Sequence, residues 1–210
     1  MTKQNGKWVY AWTPKTPDQE EAVQAFEEND LLFFVGGPGV GKTITALALG
    51  LQEVYVGRKK RVIYVRPIVE AAGENLGFLP GSVDEKIAPY LLPLHELLPK
   101  MSFHHPADVI EPRALAFLRG VTFEDCVVIL SEAQNVTLGQ FRLFLSRMGK
   151  TSKVIVEGDP DQIDLPFDRP SGFLDVVDRL EDMKGVGVIE FETRYCLRHP
   201  LVARMARRLA

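Results

Sequence analysis

Leu31-Leu32-Phe33-Phe34-Val35-Gly36-Gly37-Pro38-Gly39-Val40-Gly41-Lys42-Thr43 is the stretch that decides how this 210-residue chain folds. Five consecutive apolar residues read as a strand buried on both faces, and the next eight match the pattern G-x-x-x-x-G-K-[ST] without a departure. The apolar, Ala- and Leu-rich run from Ile44 to Val56 then reads as a helix that stops at Gly57. Strand, glycine-rich loop and helix in that order aim successive backbone N–H groups at one cluster of negative oxygens. Phosphate contacts are therefore expected from Gly37, Pro38, Gly39, Val40, Gly41, Lys42, Thr43 and Ile44. Lys42 supplies a point charge for the β- and γ-phosphates, and the Thr43 hydroxyl is the expected ligand of a bridging Mg²⁺.

Outward from this loop the pattern is α/β. Val62–Val65 is a second strand, Cys126–Leu130 a third, Lys153–Glu157 a fourth and Gly185–Phe191 a fifth, with helical segments between them. Strand–helix–strand units impose right-handed crossovers and a parallel sheet. The length suits one such domain spanning 1–210, with 1–15 as an N-terminal arm in which Trp8, Tyr10 and Trp12 alternate. Thr16 and Pro17 suit the cap and first turn of a helix that carries Gln19. The stretch from Ile68 to Pro93, dense in Gly and Pro, reads as an ordered functional loop leading into a short helix. His95–Lys100 is expected to be helical, Met101–Pro112 a loop, Ala114–Leu118 a short helix, and His199–Ala210 a final basic helix.

A net charge of −3 excludes a global electrostatic footprint for nucleic acid, so contact with RNA or single-stranded DNA has to come from local patches. Arg58-Lys59-Lys60-Arg61 is either such a patch or a solvated turn. Two cysteines, with Cys126 placed as a core residue, make no disulfide framework, and no apolar run reaches a membrane span. A soluble cytoplasmic protein without a membrane partner is the expectation. His104 and His105 lack further ligands at metal spacing.

Open α/β sheets bind ligands beyond the carboxyl ends of their strands, and further candidate groups fall there. Ser131 and Glu132 follow the third strand, and Gln162 follows the fourth in Gly158-Asp159-Pro160-Asp161-Gln162. An Asp at 131 would be the expected metal anchor; Ser131 is neutral and can hold only a metal-bound water. Glu132 is then the carboxylate that orients or deprotonates the attacking water, unless it only caps a helix or sits in a salt bridge. Gln162 is placed to sense the γ-phosphate, and Arg194 or Arg198 to stabilise transferring charge within the chain or from a neighbouring subunit. Gln19, with an amide donor and acceptor, is either an adenine reader or a solvated helix residue.

With these pieces assembled, the chain resembles the PhoH-like family of P-loop ATPases from about Gln19 to about Val202. The resemblance is carried by GGPGVGKT (36–43), RPIVEAAGENLGFLPG (66–81), EKIAPYLLPLHELL (85–98), SEAQNVTLGQFRLFLSRMGK (131–150), GDPDQIDLP (158–166) and RHPLV (198–202). It implies a RecA-like core related to the first motor domain of superfamily 1 helicases, with sheet order 5-1-4-3-2. ATP hydrolysis with Mg²⁺ and a suggested RNA-helicase role are also implied. Gln19 looks like the family's adenine-reading glutamine, Lys42 and Thr43 match its phosphate motif, and Glu132 its catalytic acid. Gln162 is similar to its sensor and Arg198 to the arginine of its closing motif.

The family pattern has Asp-Glu-Ala-Gln where this chain has Ser131-Glu132-Ala133-Gln134, and its second motif is one alanine shorter than Val69-Glu70-Ala71-Ala72-Gly73. Ser131 predicts weakened hydrolysis, with Thr43 as the direct protein ligand left to the metal, and predicts that Ser131→Asp raises the rate. A helicase of this class closes two RecA-like domains on ATP, so a one-domain chain is expected to act as a homo-oligomer, with a hexameric ring as one form. The alternative is a nucleotide-dependent binding switch with little turnover. A small-molecule kinase fits less well, because Ser131, Glu132 and Gln162 suit water activation better than acceptor binding.

Overall fold

In the computed structural model the described residues are 12–68, 92–98, 109–118 and 120–197, with the strand pair at 3–4 and 7–8 and helical positions at 201, 205 and 208. The loop expected after Ile68, the two adjacent histidines and Arg198 lie outside them, as does most of the expected final helix.

β1 (Lys3–Gln4) and β2 (Lys7–Trp8) form a small antiparallel hairpin. Trp12 beyond it packs on the main core. α1 (Pro17–Glu28) begins as its sequence dictates: the Thr16 side chain accepts from the Gln19 N–H, and Pro17 occupies the first turn. β3 (Leu31–Gly36) leads into the glycine-rich loop and α2 (Lys42–Tyr55), with Gly57 at φ 79° just past the helix end. β4 (Arg61–Arg66), the short α3 (Leu92–Leu97) and β5 (Ile110–Ala114) follow. β6 (Cys126–Leu130), α4 (Leu138–Leu145), β7 (Lys153–Gly158), α5 (Phe173–Leu180) and β8 (Val186–Phe191) complete the core. Thr137 and Gln140 make a reciprocal capping box that sets the start of α4.

The main sheet has six strands in the order β5-β4-β6-β7-β3-β8, every pair parallel. From β8 to β4 this is the order 5-1-4-3-2 expected from the resemblance, and β5 extends it by one strand. That strand falls where a loop and a short helix were expected; a single 3₁₀ turn, Leu115–Phe117, follows it. Pro112 masked the strand, because proline cannot donate to a ladder. Among the described residues β5 pairs only with β4, and an edge position tolerates the missing donor.

Alternation along each strand sorts the core into two layers. Leu32, Phe34, Tyr64, Ile129 and Ile155 face α1 and α2, whereas Phe33, Val65, Val128, Leu130 and Val156 face α4 and α5 through Phe141, Phe144 and Phe173. α2 approaches the sheet at Gly50, where a Cβ would lie 3.1 Å from Val62 and 3.4 Å from Val127. Each fully buried aromatic such as Phe34 contributes roughly 1.5–3 kcal/mol, and its truncation to Ala would cost about 3–5 kcal/mol. This closely packed frame holds the carboxyl ends of β3, β6 and β7 side by side. Both cysteines are free, with Cys126 buried. Among the described residues no helix is long and apolar enough to cross a membrane.

Candidate active site

α2 opens on Gly41 with no side-chain cap and no acidic residue in its first turn, so its first N–H groups are left for an external anion. Gly39 (φ 77°) and Gly41 (φ 97°) take left-handed backbone that other residues resist. The Lys42 ammonium folds back over the loop and donates to the carbonyls of Gly36 (2.6 Å) and Gly37 (2.8 Å). Val40 is buried, and Ile44 packs half-buried on the core behind the loop.

Two elements grip this loop. From one side comes Gln19, fully buried, whose Oε1 accepts from the Lys15 N–H at 2.8 Å. Its Nε2 is buried without a partner among the described residues, and a Cβ placed on Gly41 would lie 2.5 Å from it. α1 is fixed in this position by Asp18, whose Oδ2 accepts from the Glu192 N–H at the end of β8 (2.8 Å). From the other side comes the turn after β8, where the Leu197 N–H donates to the Gly39 carbonyl at 2.9 Å. Arg194 in that turn is exposed, paired with Glu192 at 2.5 Å and stacked 4.8 Å from the Tyr195 ring centroid. It is thus tied within its own segment.

Beside the loop lies a carboxylate that was not expected there. Glu157, next to last in β7, is buried and accepts hydrogen bonds from Thr43 Oγ1 (3.0 Å) and from Ser131 Oγ. Burial pushes its carboxyl above the usual range, opposed by the charge of Lys42. Glu132 is therefore not the only carboxylate at these strand ends. The signal was parity: Ile129 and Ile155 face the same layer, so Ser131 and Glu157, each two residues further on, share that face too. Tyr64 lies in the same layer; its hydroxyl is buried without a hydrogen bond of good geometry among the described residues. Burial followed by the Glu157 charge raises the Tyr64 pKa, with Ser131 opposing the shift.

Glu132 takes a left-handed backbone conformation (φ 58°), at a cost of roughly 1–2 kcal/mol. Its carboxylate lies 3.4 Å from Arg66 and accepts from Gln134 Nε2 at 2.7 Å. The buried Gln134 carries the connection onward, because its Oε1 accepts from the Asp159 N–H at 3.0 Å. Asp159, its carboxyl raised by burial, accepts in turn from Gln162 Nε2 at 2.8 Å, leaving the exposed Gln162 tethered at the mouth of the site. Glu132 and Gln162 are thus joined through Gln134 and Asp159, two links that motif spacing alone did not pick out.

Each of the four cations after α2 has a partner at the protein surface. Arg58 pairs with Glu53, Lys59 donates to the Thr151 carbonyl, Lys60 pairs with Asp125 at 2.6 Å, and Arg61 lies 3.5 Å from Glu111. These surface pairings fit the solvated-turn reading of the four cations.

A family model described as PhoH-like protein matches residues 11–209. The chain belongs to the PhoH-like protein family. It is 43% identical over 201 residues to a PhoH-like protein of Mycobacterium bovis, covering 91% of this chain and 56% of that one. A PhoH-like protein of Bacillus subtilis is 42% identical over 197 residues, with 91% and 61% covered. Protein PhoH of Escherichia coli is 38% identical over 190 residues, with 87% and 53% covered. The chain thus spans a little over half the length of these PhoH-like relatives. Among solved structures it is similar to the large terminase of a thermophilic bacteriophage in complex with ADP, with a TM-score of 0.60 at 12% identity, covering 94% of this chain and 50% of that one. At that identity the likeness concerns the fold, and this PhoH-like chain has the P-loop ATPase fold.

Proposed function

We propose that the chain binds MgATP on the Gly36–Thr43 loop, hydrolyses it, and couples the cycle to RNA or single-stranded nucleic acid as a homo-oligomer. The observation that carries the reading is the uncapped start of α2, gripped by Gln19 and flanked by the Thr43–Glu157–Ser131 cluster. The residues fit the ligand. Gln19 offers a buried, unpaired amide donor, and the donor set around Thr43 is hydroxyl and carboxylate oxygen, the chemistry of a hard divalent cation.

Thr43 and Ser131 are the hydroxyls at the metal position, and the metal, when bound, neutralises charge on the phosphate oxygens. Lys42 exchanges the Gly36 and Gly37 carbonyls for phosphate oxygens. Glu132, held by Arg66 and Gln134, orients the attacking water and accepts its proton. Gln162 reports the state of the γ-phosphate to Glu132 through Asp159 and Gln134. Arg198, one residue beyond the Leu197–Gly39 contact, stabilises charge on the transferring phosphoryl group within the chain or across a subunit boundary. That a solved structure of similar fold, the terminase, is a complex with ADP supports nucleotide binding by this chain.

A phosphate-release assay with and without single-stranded RNA and DNA, run beside mass photometry with and without ATP, tests the reading. Nucleic-acid-stimulated hydrolysis that Lys42→Ala abolishes is expected. A monomer whose rate responds to neither polymer would refute the motor reading. The neutral Ser131 favours a second reading, a nucleotide-dependent binding switch, which predicts tight ATP binding with little phosphate release.

A further inference from the structure

We infer that the metal-anchoring carboxylate of this chain has moved one strand along the sheet: Glu157 on β7 takes the part that an acid at position 131 on β6 would play, and Ser131 positions it. The inference rests on the nucleotide-site reading above and assigns Glu157 a role that reading leaves unassigned. The carboxylate oxygen that accepts from Thr43 also accepts from Ser131, so Glu157 stands between the loop hydroxyl and the residue that replaces the expected acid. β7 lies between β3 and β6, and the register Leu130↔Val156 places Ser131 and Glu157 side by side on the face that carries the loop and α2. A carboxylate at either position therefore reaches the same space beside Thr43.

Glu157 is also a poor structural residue. It is buried, it forms no ion pair among the described residues, and Lys42, whose charge it feels, is bonded to the loop carbonyls instead. A buried carboxylate held by two hydroxyls alone is costly to keep, whereas a divalent cation offsets that cost directly. The Tyr64 hydroxyl on the same layer is buried without a well-formed hydrogen bond among the described residues, as suits a cluster arranged around an ion rather than a closed hydrogen-bond network.

The test is the Mg²⁺ dependence of ATPγS affinity, measured calorimetrically in MgCl₂ and in EDTA, with Mn²⁺ in the presence of ADP followed by EPR as a direct metal readout. Wild type is expected to gain about tenfold or more in affinity from Mg²⁺. Glu157→Gln, which keeps the shape and removes the charge, is expected to cut that gain to less than about twofold, leave affinity in EDTA within about threefold of wild type, and weaken the Mn²⁺ signal. The paired exchange Ser131→Asp with Glu157→Ser is expected to restore both readouts, and it covers the case in which Glu157→Gln folds poorly. A folded Glu157→Gln protein with the full Mg²⁺ gain and an unchanged Mn²⁺ signal would overturn the inference while leaving nucleotide binding intact. Wild type that binds ATPγS in neither buffer would remove the underlying reading as well.

Discussion

Replacing Ser131 by Asp restores the residue that the family pattern carries, and sequence alone predicts a faster enzyme. In the structure the single mutant also meets a second carboxylate, and that encounter costs stability. Ser131 and Glu157 are both buried and in direct hydrogen-bond contact, so a carboxylate on residue 131 would have an oxygen within roughly 4 Å of the Glu157 carboxylate. Two unit charges at that separation repel by about 4 kcal/mol at an effective dielectric constant of about 20. Against a typical total stability of about 5–15 kcal/mol this is a large fraction. The pair escapes part of the cost by retaining a proton, so its folded-state pKa lies above the unfolded values of about 3.9 and 4.3. For a raised pKa the stability is fully present below the unfolded value and is lost as pH rises through the folded one. Urea denaturation without metal should therefore show Ser131→Asp about 3–4 kcal/mol less stable than the neutral isostere Ser131→Asn near pH 7, with the gap narrowing as pH falls and closing toward about pH 4. Combining Ser131→Asp with Glu157→Gln should close it at neutral pH. A gap that is absent, or that ignores both pH and the Glu157 substitution, would refute the proximity argument.

Gly41→Ala meets both a left-handed backbone and the Gln19 amide, 2.5 Å from the new Cβ. A loss of about 2–3 kcal/mol is expected, and of only about 1 kcal/mol in a Gln19→Ala background, a coupling that a denaturant double-mutant cycle would measure. Gln134→Ala leaves the Asp159 N–H without its acceptor and frees Glu132; it should cost about 1–3 kcal/mol in thermal or urea melts and lower the hydrolysis rate more than ATPγS affinity. Burial pushes the Cys126 thiol up to about 11, so Ellman's reagent at mildly alkaline pH should modify the half-buried Cys196 first, with Cys126 reacting only on unfolding. By the same sign rule Cys126→Ala should become more stable relative to wild type as pH rises from 9 toward 11.

The strands β3, β4, β6, β7 and β8 were legible because each is a short, largely apolar run with no competing helical period, and Cys126–Leu130, buried at every position, is the clearest. β5 was not, because Ile110-Glu111-Pro112-Arg113-Ala114 has neither the apolar continuity of an inner strand nor an intact set of donors. Its edge position relaxes both requirements, and that position belongs to the sheet rather than to the segment. In the site, the loop and Thr43 were legible because glycines and a helix start leave a local signature. The Gln19 contact was legible only as a residue type, since what presses its amide against Gly41 is the Asp18–Glu192 tie to β8, about 170 residues away in sequence.

Glu157 escaped notice for a deeper reason. At the end of Val154-Ile155-Val156 it reads as the polar residue that stops a strand, and motif matching along one segment weighs Ser131 only against an acid at the same position. In a parallel sheet, however, adjacent strands ending at the same level present residues of equal parity to one shared space, here through the Leu130↔Val156 register. What the chemistry beside Thr43 requires is an oxygen anion at a place, and the place is reachable from two backbones. A neutral residue at 131 is therefore evidence of lost catalysis only if 157 is neutral as well. In this chain position 157 is a glutamate, so under the role inferred for Glu157 Ser131 marks a displaced carboxylate rather than a missing one, and the activity of Ser131 and Glu157 variants has to be judged as a pair.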